Sequence, residues 1–433
     1  MRVTVESTGV LQRRVEVALP AARVEQLFKD RLTQFSRTAR LKGFRPGKVP
    51  LKVVEQQFGA QLREEVVSEL VRSSFAEAVS QEKLEPVGGP RIETLTAPTG
   101  EELRYAAVFE VYPTVLLAGL DGLAVTRPEA EVTSADVDAM LDNLRRQRVT
   151  YRAVERPAGA TDRVKIDFEG KIDGVAFDGG KADNAEVVLG AGRMLPDFEK
   201  GLDGVTVGST TTFPVTFPVD YGQPALAGKT AEFTATVHEV AEEVLPEIND
   251  EFCLAFGVAE GGVEQLRREV EDNMRRELES TIKGRLKNQL FEGVLAANPI
   301  EVPQSALESQ IQRLQVDWLR RMGVTPEQIK EAPPREPFEA TARRRVALGI
   351  LIDEIAKAEK MTPDARKVEE HIETAAIGYP DPEDAARQIR DNAQLMSQVH
   401  SSVIEEQVAE WLLARATVTG APATFKEVMN FGA

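Results

Sequence analysis

Polar and apolar residues alternate over 13–19 (RRVEVAL), which puts Val15, Val17 and Leu19 on one face of a strand. Pro20 suits the first turn of a helix. Val24, Leu27, Phe28, Leu32 and Phe35 then recur at three- and four-residue spacing, predicting an amphipathic helix to about Arg40. The segment 41–50, LKGFRPGKVP, has two glycines and two prolines and stops that helix. Helical spacing resumes at 51–57 and 60–82, and 103–111 (LRYAAVFEV) reads as a strand. After an extended connector, Val137, Met140, Leu141 and Leu144 form the stripe of another helix. Past Pro157 the pattern changes to short strands at 164–170, 174–180, 186–190, 209–217 and 230–240, with glycines crowding the turns. From Leu245 onward strand patterns vanish. Val270, Met274, Leu278, Ile282, Leu286, Leu290 and Val294 fall on every fourth position of 263–297. Each such step over-rotates a helix by about 40°, so this stripe winds around a long helix. Further helical patterns at 303–322, 337–360, 364–376 and 382–416 make the last third all-α. The expectation is a multidomain α+β chain.

At 433 residues the chain has room for about three domains of roughly 150 residues. Its 42% apolar and 28% charged residues exclude wholesale disorder. One cysteine, Cys253, excludes an internal disulfide and fits a reducing compartment. No apolar run approaches the roughly 20 residues that span a bilayer, and the N-terminus has no apolar signal core. A cytoplasmic protein with no membrane partner is expected. The net charge of −17 argues against a general nucleic-acid or DNA binder, but the charge is segregated. Residues 1–112 hold 17 Lys/Arg against 15 Asp/Glu, and within 29–52 eight cations face the single acid Asp30. That stretch is either a solvated helix face or a dock for a polyanion, and charge alone leaves both open.

His238, His371 and His400 have no metal-ligand spacing, and Cys253 has no accompanying histidine signature. The run DFEGKIDGVAFDGG (167–180) misses calcium-loop spacing, and Gly179-Gly180-Lys181 is not a phosphate loop. Any chemistry should therefore need no metal, cofactor or nucleophile. Rotation about a peptidyl-prolyl bond fits that constraint. Its barrier of roughly 18–20 kcal/mol is amide resonance, which a dry apolar pocket lowers by favouring the twisted, less polar amide. Phe168, Phe177, Met194, Leu195, Phe198, Phe217, Tyr221 and Phe233 could line such a pocket, or simply fill a small core.

The order of these residues is more specific. VKIDFEG, DGVAFDGG, VVLGAGRMLPDFEKGLDGVTVGS, FPVDYG and AEFTATVHEV closely resemble the FKBP-type peptidyl-prolyl isomerase domain. The resemblance implies a catalytic pocket of Phe168, Phe177, Asp178, Met194, Leu195, Phe198 (the floor), Tyr221 and Phe233, with the Leu195 N–H donating to a substrate carbonyl. Phe198 stands where stand-alone members often have Trp, and Ala185 stands where an aromatic is expected. GFRPGKVP, from Gly43 to Pro50, resembles the G-F-R-x-G-K-x-P signature of the trigger factor family of ribosome-associated chaperones. Gly43 and Gly47 permit the turn, Phe44 is an apolar anchor, and Arg45 and Lys48 meet phosphate or acidic groups. Pro46 replaces a frequent cation.

This second resemblance spans the chain and implies its organisation. Residues 1–112 would be an α+β ribosome-binding domain, 113–150 a linker and helix packing on the C-terminal domain, 151–241 the FKBP-like antiparallel-sheet domain, and 242–433 a helical chaperone domain. The C-terminal domain would thus be all-α and discontinuous. The implied function is ATP-independent holding of nascent and unfolded polypeptides, with prolyl isomerisation, in support of folding and export. The implied partners are ribosomal protein and rRNA at the exit tunnel, nascent chains, and a second copy off the ribosome. No cofactor is expected. A free isomerase without ribosome docking and a pure holdase with a structural aromatic cluster are the rival readings. Trp318, Met322 and Met396 are candidate client contacts, although helical spacing reads them as core positions first.

Overall fold

The computed structural model describes residues 1–38, 44, 49–96, 100–324 and 332–430. Strands β1 (Arg2–Ser7) and β2 (Gln12–Leu19) lead into helices α1 (Ala21–Thr38) and α2 (Leu51–Gln81). Then come β3 (Pro86–Thr96), β4 (Leu103–Val111), β5 (Ala124–Glu129) and α3 (Ser134–Gln147). The strand-rich middle holds β6 (Thr150–Ala153), β7 (Arg163–Ile172), β8 (Val175–Val188), α4 (Pro196–Gly201), β9 (Thr210–Thr216) and β10 (Thr230–Val244). Helices α5 (Asp250–Ala255), α6 (Gly262–Ala297), α7 (Gln304–Arg321) and α8 (Glu336–Ala358) follow. The chain ends with α9 (Ala365–Ala376), α10 (Pro382–Asp391), α11 (Ala393–Leu413), β11 (Thr417–Pro422) and α12 (Phe425–Met429). Two compact units result: Met1–Arg127 with Gly284–Ala421, and Pro128–Lys283 with Pro422–Ala433.

In the first unit an antiparallel sheet of order β1-β2-β4-β3 packs against α1 and α2. The alternation of β2 buries Val15, Val17 and Leu19 beside Val24, Phe28 and Leu32 of α1. Where spacing predicts two helices at 51–57 and 60–82, there is one helix of 31 residues. Gly59 lies inside it and does not break it, facing the Phe28 ring of α1. Strand β3 is unforeseen because its edge register slips at Val87/Arg91 and again at Ile92/Thr94, which erases simple alternation.

The helical part of this unit meets the sheet at Glu110. Pro303 gives α7 no side-chain cap. The Glu110 carboxylate at the end of β4 instead accepts the N–H groups of Gln304 (3.0 Å) and Ser305 (2.8 Å). Burial disfavours the charged carboxylate, but the Ser305 and Gln304 N–H bonds outweigh it and hold Glu110 below the usual glutamate range. Glu110→Ala should cost about 1 kcal/mol, the usual worth of a cap, read as a lower urea midpoint of the full chain. Because the folded carboxyl is the more acidic one, this contribution is present above about pH 4.3 and fades as pH falls below it.

Further along, two carboxamides, Asn298 just past the end of α6 and Gln289 within it, hold the chain at Ala118 and at Thr126 of β5. Asn298 accepts the Ala118 N–H (2.8 Å) and donates to the Ala118 carbonyl (2.9 Å), and Gln289 does the same for Thr126 at 2.7 and 2.9 Å. The pattern at 382–416 divides into α10 and α11 at Asn392, whose side chain accepts the Gln394 and Leu395 N–H groups. The all-α expectation for the last third needs one correction: β11 pairs with β5, a ribbon hidden by the Gly and Pro of TVTGAP. Of the three residues read first as core, Trp318 and Met322 are exposed, at 42% and 61%. Met396 does pack, against the Ile372, Ala376 and Ala386 cluster.

The second unit contains an antiparallel sheet of order β6-β10-β7-β8, with β9 also paired to β10. Ala231, Phe233, Ala235 and Val237 alternate inward along β10. A bulge between Val237 and Glu239 resets the phase, so that Val240 and Ala241 are buried too. The strands expected at 174–180 and 186–190 are one strand, β8, kinked at left-handed Gly179 (φ 81°) and Asn184 (φ 55°). As a whole the chain is mixed helix and sheet, with a helical C-terminal region.

Candidate active site

Five secondary-structure elements and two loops of the second unit converge on a cavity of 540 Å³. Phe168 comes from β7, Phe177 and Asp178 from β8, Met194 and Leu195 from the turn before α4, and Phe198 from α4 itself. Phe233 comes from β10, and Tyr221 from the loop after β9. All eight line this one cavity. They meet because inward alternation on β7 and β10 aims Phe168 and Phe233 at the same layer, and the β7–β8 pairing brings Phe177 beside it.

Phe198 forms the floor, 3% exposed. Its ring centroid lies 5.2 Å from Phe168, 5.2 Å from Phe233 and 5.4 Å from Phe213, all near perpendicular. Such edge-to-face contacts add about 0.5–1.5 kcal/mol each beyond simple burial. Phe177 stands over this tier, 6.0 Å from Phe217 and 6.1 Å from Phe233. Tyr221, partly exposed, closes the outer wall 4.8 Å from Phe217. The floor can sit this deep only because Gly201, ending α4, has no side chain: a Cβ there would fall 2.2 Å from the Phe213 ring.

Phe217, named among the domain's aromatics as a pocket candidate, also lines the cavity, and so do Val215, Gln223 and Leu226, which the sequence did not single out. Gln223 and Leu226 belong to a turn closed by the Leu226 N–H on the Gln223 carbonyl (2.9 Å), which no periodicity reveals. Asp178, Arg193, Tyr221 and Gln223 bring polar groups to the rim of this aromatic wall. The Leu195 N–H donates to no group among the described residues, while its carbonyl accepts from Phe198 and Glu199 in α4. Asp167, next to Phe168, does not line the cavity. The Asn184 N–H (2.7 Å) and then His238 (2.7 Å) hold its carboxyl below the usual range. The arrangement is a concave aromatic surface with the Leu195 N–H at its edge, and it can hold an apolar prolyl ring and its carbonyl.

His371 sits 3.3 Å from Glu406, Cys253 is buried, and no cluster of metal-binding side chains occurs among the described residues. No helix there is long and apolar enough to cross a membrane. In the basic stretch, Arg31 pairs with Glu69 of α2. Phe44 is 40% exposed. Gly43, Arg45, Pro46, Gly47 and Lys48 lie outside the described residues.

Three family models match the chain in order. They are bacterial trigger factor protein over residues 1–144, FKBP-type peptidyl-prolyl cis-trans isomerase over 154–238, and bacterial trigger factor protein C-terminus over 262–414. Trigger factor of Pseudomonas putida (strain W619) is 46% identical over 432 residues, covering 99% of this chain and 98% of its own. Trigger factor of Stutzerimonas stutzeri (strain A1501) is 44% identical with the same coverage. A solved structure of the trigger factor chaperone aligns over 96% of this chain and 99% of its own, at 18% identity and a TM-score of 0.48. With near-complete coverage of relatives at this identity, and with the aromatic cavity inside the isomerase-matched segment, the chain belongs to the trigger factor family of chaperones carrying an FKBP-type peptidyl-prolyl isomerase domain.

Proposed function

We propose that this chain holds nascent and unfolded polypeptides without ATP, docks beside the ribosomal exit tunnel through Gly43, Phe44, Arg45, Pro46, Gly47 and Lys48, and turns prolyl bonds in the aromatic cavity. It does so in the cytoplasm, partly ribosome-bound, through domains at 1–112, 113–150, 151–241 and 242–433, and it self-associates when no ribosome is present. Phe168, Phe177, Asp178, Met194, Leu195, Phe198, Tyr221 and Phe233 form the catalytic wall. The observation that carries the isomerase part is the convergence of all eight on one cavity above a floor ring held edge-on by three others. An apolar wall strips water from the amide and favours its twisted form, and each 1.4 kcal/mol or so of barrier removed is tenfold in rate. Exposed Phe44 within the basic loop supports the docking part.

Co-sedimentation with salt-washed bacterial ribosomes tests the docking. The wild type should pellet, and Phe44→Ala/Arg45→Ala/Lys48→Ala should stay in the supernatant with an unchanged circular dichroism spectrum. If neither pellets at low salt, the chain is a free isomerase. If prolyl peptides are not turned over while client aggregation is still suppressed, it is a holdase with a structural aromatic cluster.

A further inference from the structure

The loop between β8 and α4 supplies Met194 and Leu195 to the cavity wall, yet its composition does not make it stiff. Gly190 (φ 77°) and Gly192 (φ 67°) both sit in the left-handed region, and the loop lies at the rim of the sheet, without the ladder bonds of a strand. What ties it down is a carboxylate. Glu199, one turn into α4 and next to the floor residue Phe198, accepts the Gly190 N–H through Oε2 (3.0 Å) and the Met194 N–H through Oε1 (3.2 Å). One side chain thus spans both ends of the loop and fixes the Arg193–Met194 peptide plane, the one that precedes the plane bearing the Leu195 N–H. The helix is itself fastened on its other side, where Asp197 accepts the Thr216 N–H of β9 (3.1 Å). Glu199 does not line the cavity, so it can act on substrate only through the loop.

Resting on the isomerase reading of the cavity, we infer that Glu199 is a positioning residue: it aims the Leu195 N–H so that one side of the prolyl bond is anchored while the other rotates. An unaimed N–H leaves the apolar pocket able to bind the peptide but lets both halves turn together. The loss therefore falls on kcat and not on KM.

The test is prolyl turnover by the full chain on a short peptide with Leu before Pro, resolving kcat and KM for wild type, Glu199→Ala and Glu199→Gln. Asp162→Asn, which disturbs a buried contact away from the cavity, serves as the control for lost stability. Glu199→Ala should lower kcat about tenfold with KM within about twofold of wild type. Glu199→Gln, which keeps one acceptor oxygen, should fall between. Amide exchange at Gly190 and Met194 should speed up in Glu199→Ala and not in Asp162→Asn.

If Glu199→Ala turns over like wild type, or loses no more rate than Asp162→Asn, then Glu199 is only a strut and the assignment is wrong. If Glu199→Ala fails to fold, Glu199→Gln decides: a lowered kcat at constant KM supports the role, and a wild-type kcat removes it. A wild-type chain with no turnover at all sinks the isomerase reading, and Glu199's role goes with it.

Discussion

Asp162→Ala is expected to lower the stability of the second unit by about 2–3 kcal/mol, measured by urea unfolding followed through that unit's aromatic signals. The Asp162 side chain is only 3% exposed. Its carboxylate accepts Nη1 and Nη2 of Arg156 at 2.5 and 3.0 Å and the Gly159 N–H at 2.8 Å. The same residue's carbonyl accepts the Leu189 N–H and the Leu189 carbonyl accepts the Thr161 N–H, so two backbone bonds tie the arch 156–162 just past the end of β8. Alanine removes the acceptor and leaves the Gly159 donor unanswered. The Arg156 head is half exposed and recovers water, which keeps the loss at the low end for a broken buried pair. Acid should imitate the mutation. The Arg156 hydrogen bonds, and after them the Gly159 N–H, hold the Asp162 carboxyl below its ordinary value against the opposing effect of burial. A carboxyl that is more acidic folded than unfolded stabilises the fold fully above its unfolded value of about 3.9 and loses that contribution as pH falls through its folded value. The gap between wild type and Asp162→Asn should therefore be widest near neutral pH and shrink below about pH 4. A gap that stays constant down to pH 2 would show that the carboxylate charge does not matter.

How far the sequence could be read depends on the range of the forces involved. Strand β4 is recovered to the residue because its burial is a property of nine consecutive side chains. The cavity is legible because its aromatics follow one another in a recognisable order, and the backbone then brings Phe168, Phe198 and Phe233 within ring contact. What could not be read rests on partners far away in the chain. Glu110 caps a helix that begins 194 residues later, and Asn298 reads as an ordinary polar residue just past a helix until Ala118 is found against it 180 residues away. The ribbon of β5 and β11 has the same character: neither strand carries a pattern strong enough to announce itself, and each exists because the other is there. Glu199 is the instructive case inside the site. As the second residue of an FEKG stretch it looks like a surface helix acid, and only the loop folding back over α4 turns it into a double acceptor. The exposure of Trp318 and Met322 shows the converse limit, since spacing identifies a face of α7 without saying what covers it.

Phe198→Ala should produce the largest loss of all, because stability and turnover fail together. Truncating a buried Phe costs about 3–5 kcal/mol, depending on how far the site collapses. Collapse is hindered here, since the three neighbouring rings stand edge-on to the missing one and are fixed by their own strands, β7, β9 and β10. The vacated floor would also admit water below the prolyl ring, so kcat/KM should fall by more than the unfolded fraction explains. Phe198→Leu separates the two effects. It keeps much of the volume and loses the edge-on contacts, so most molecules remain folded at the assay temperature while turnover still drops. Phe198→Trp tests the same floor from the other side. With Phe213 against Gly201 and two more rings at 5.2 Å, a larger ring can grow only into the cavity above it, and overpacking should cost about 1–3 kcal/mol. Wild-type turnover in folded Phe198→Leu would mean that the floor ring serves packing alone, and the aromatic cluster would then be the structural core of a chaperone that holds its clients without turning their prolines.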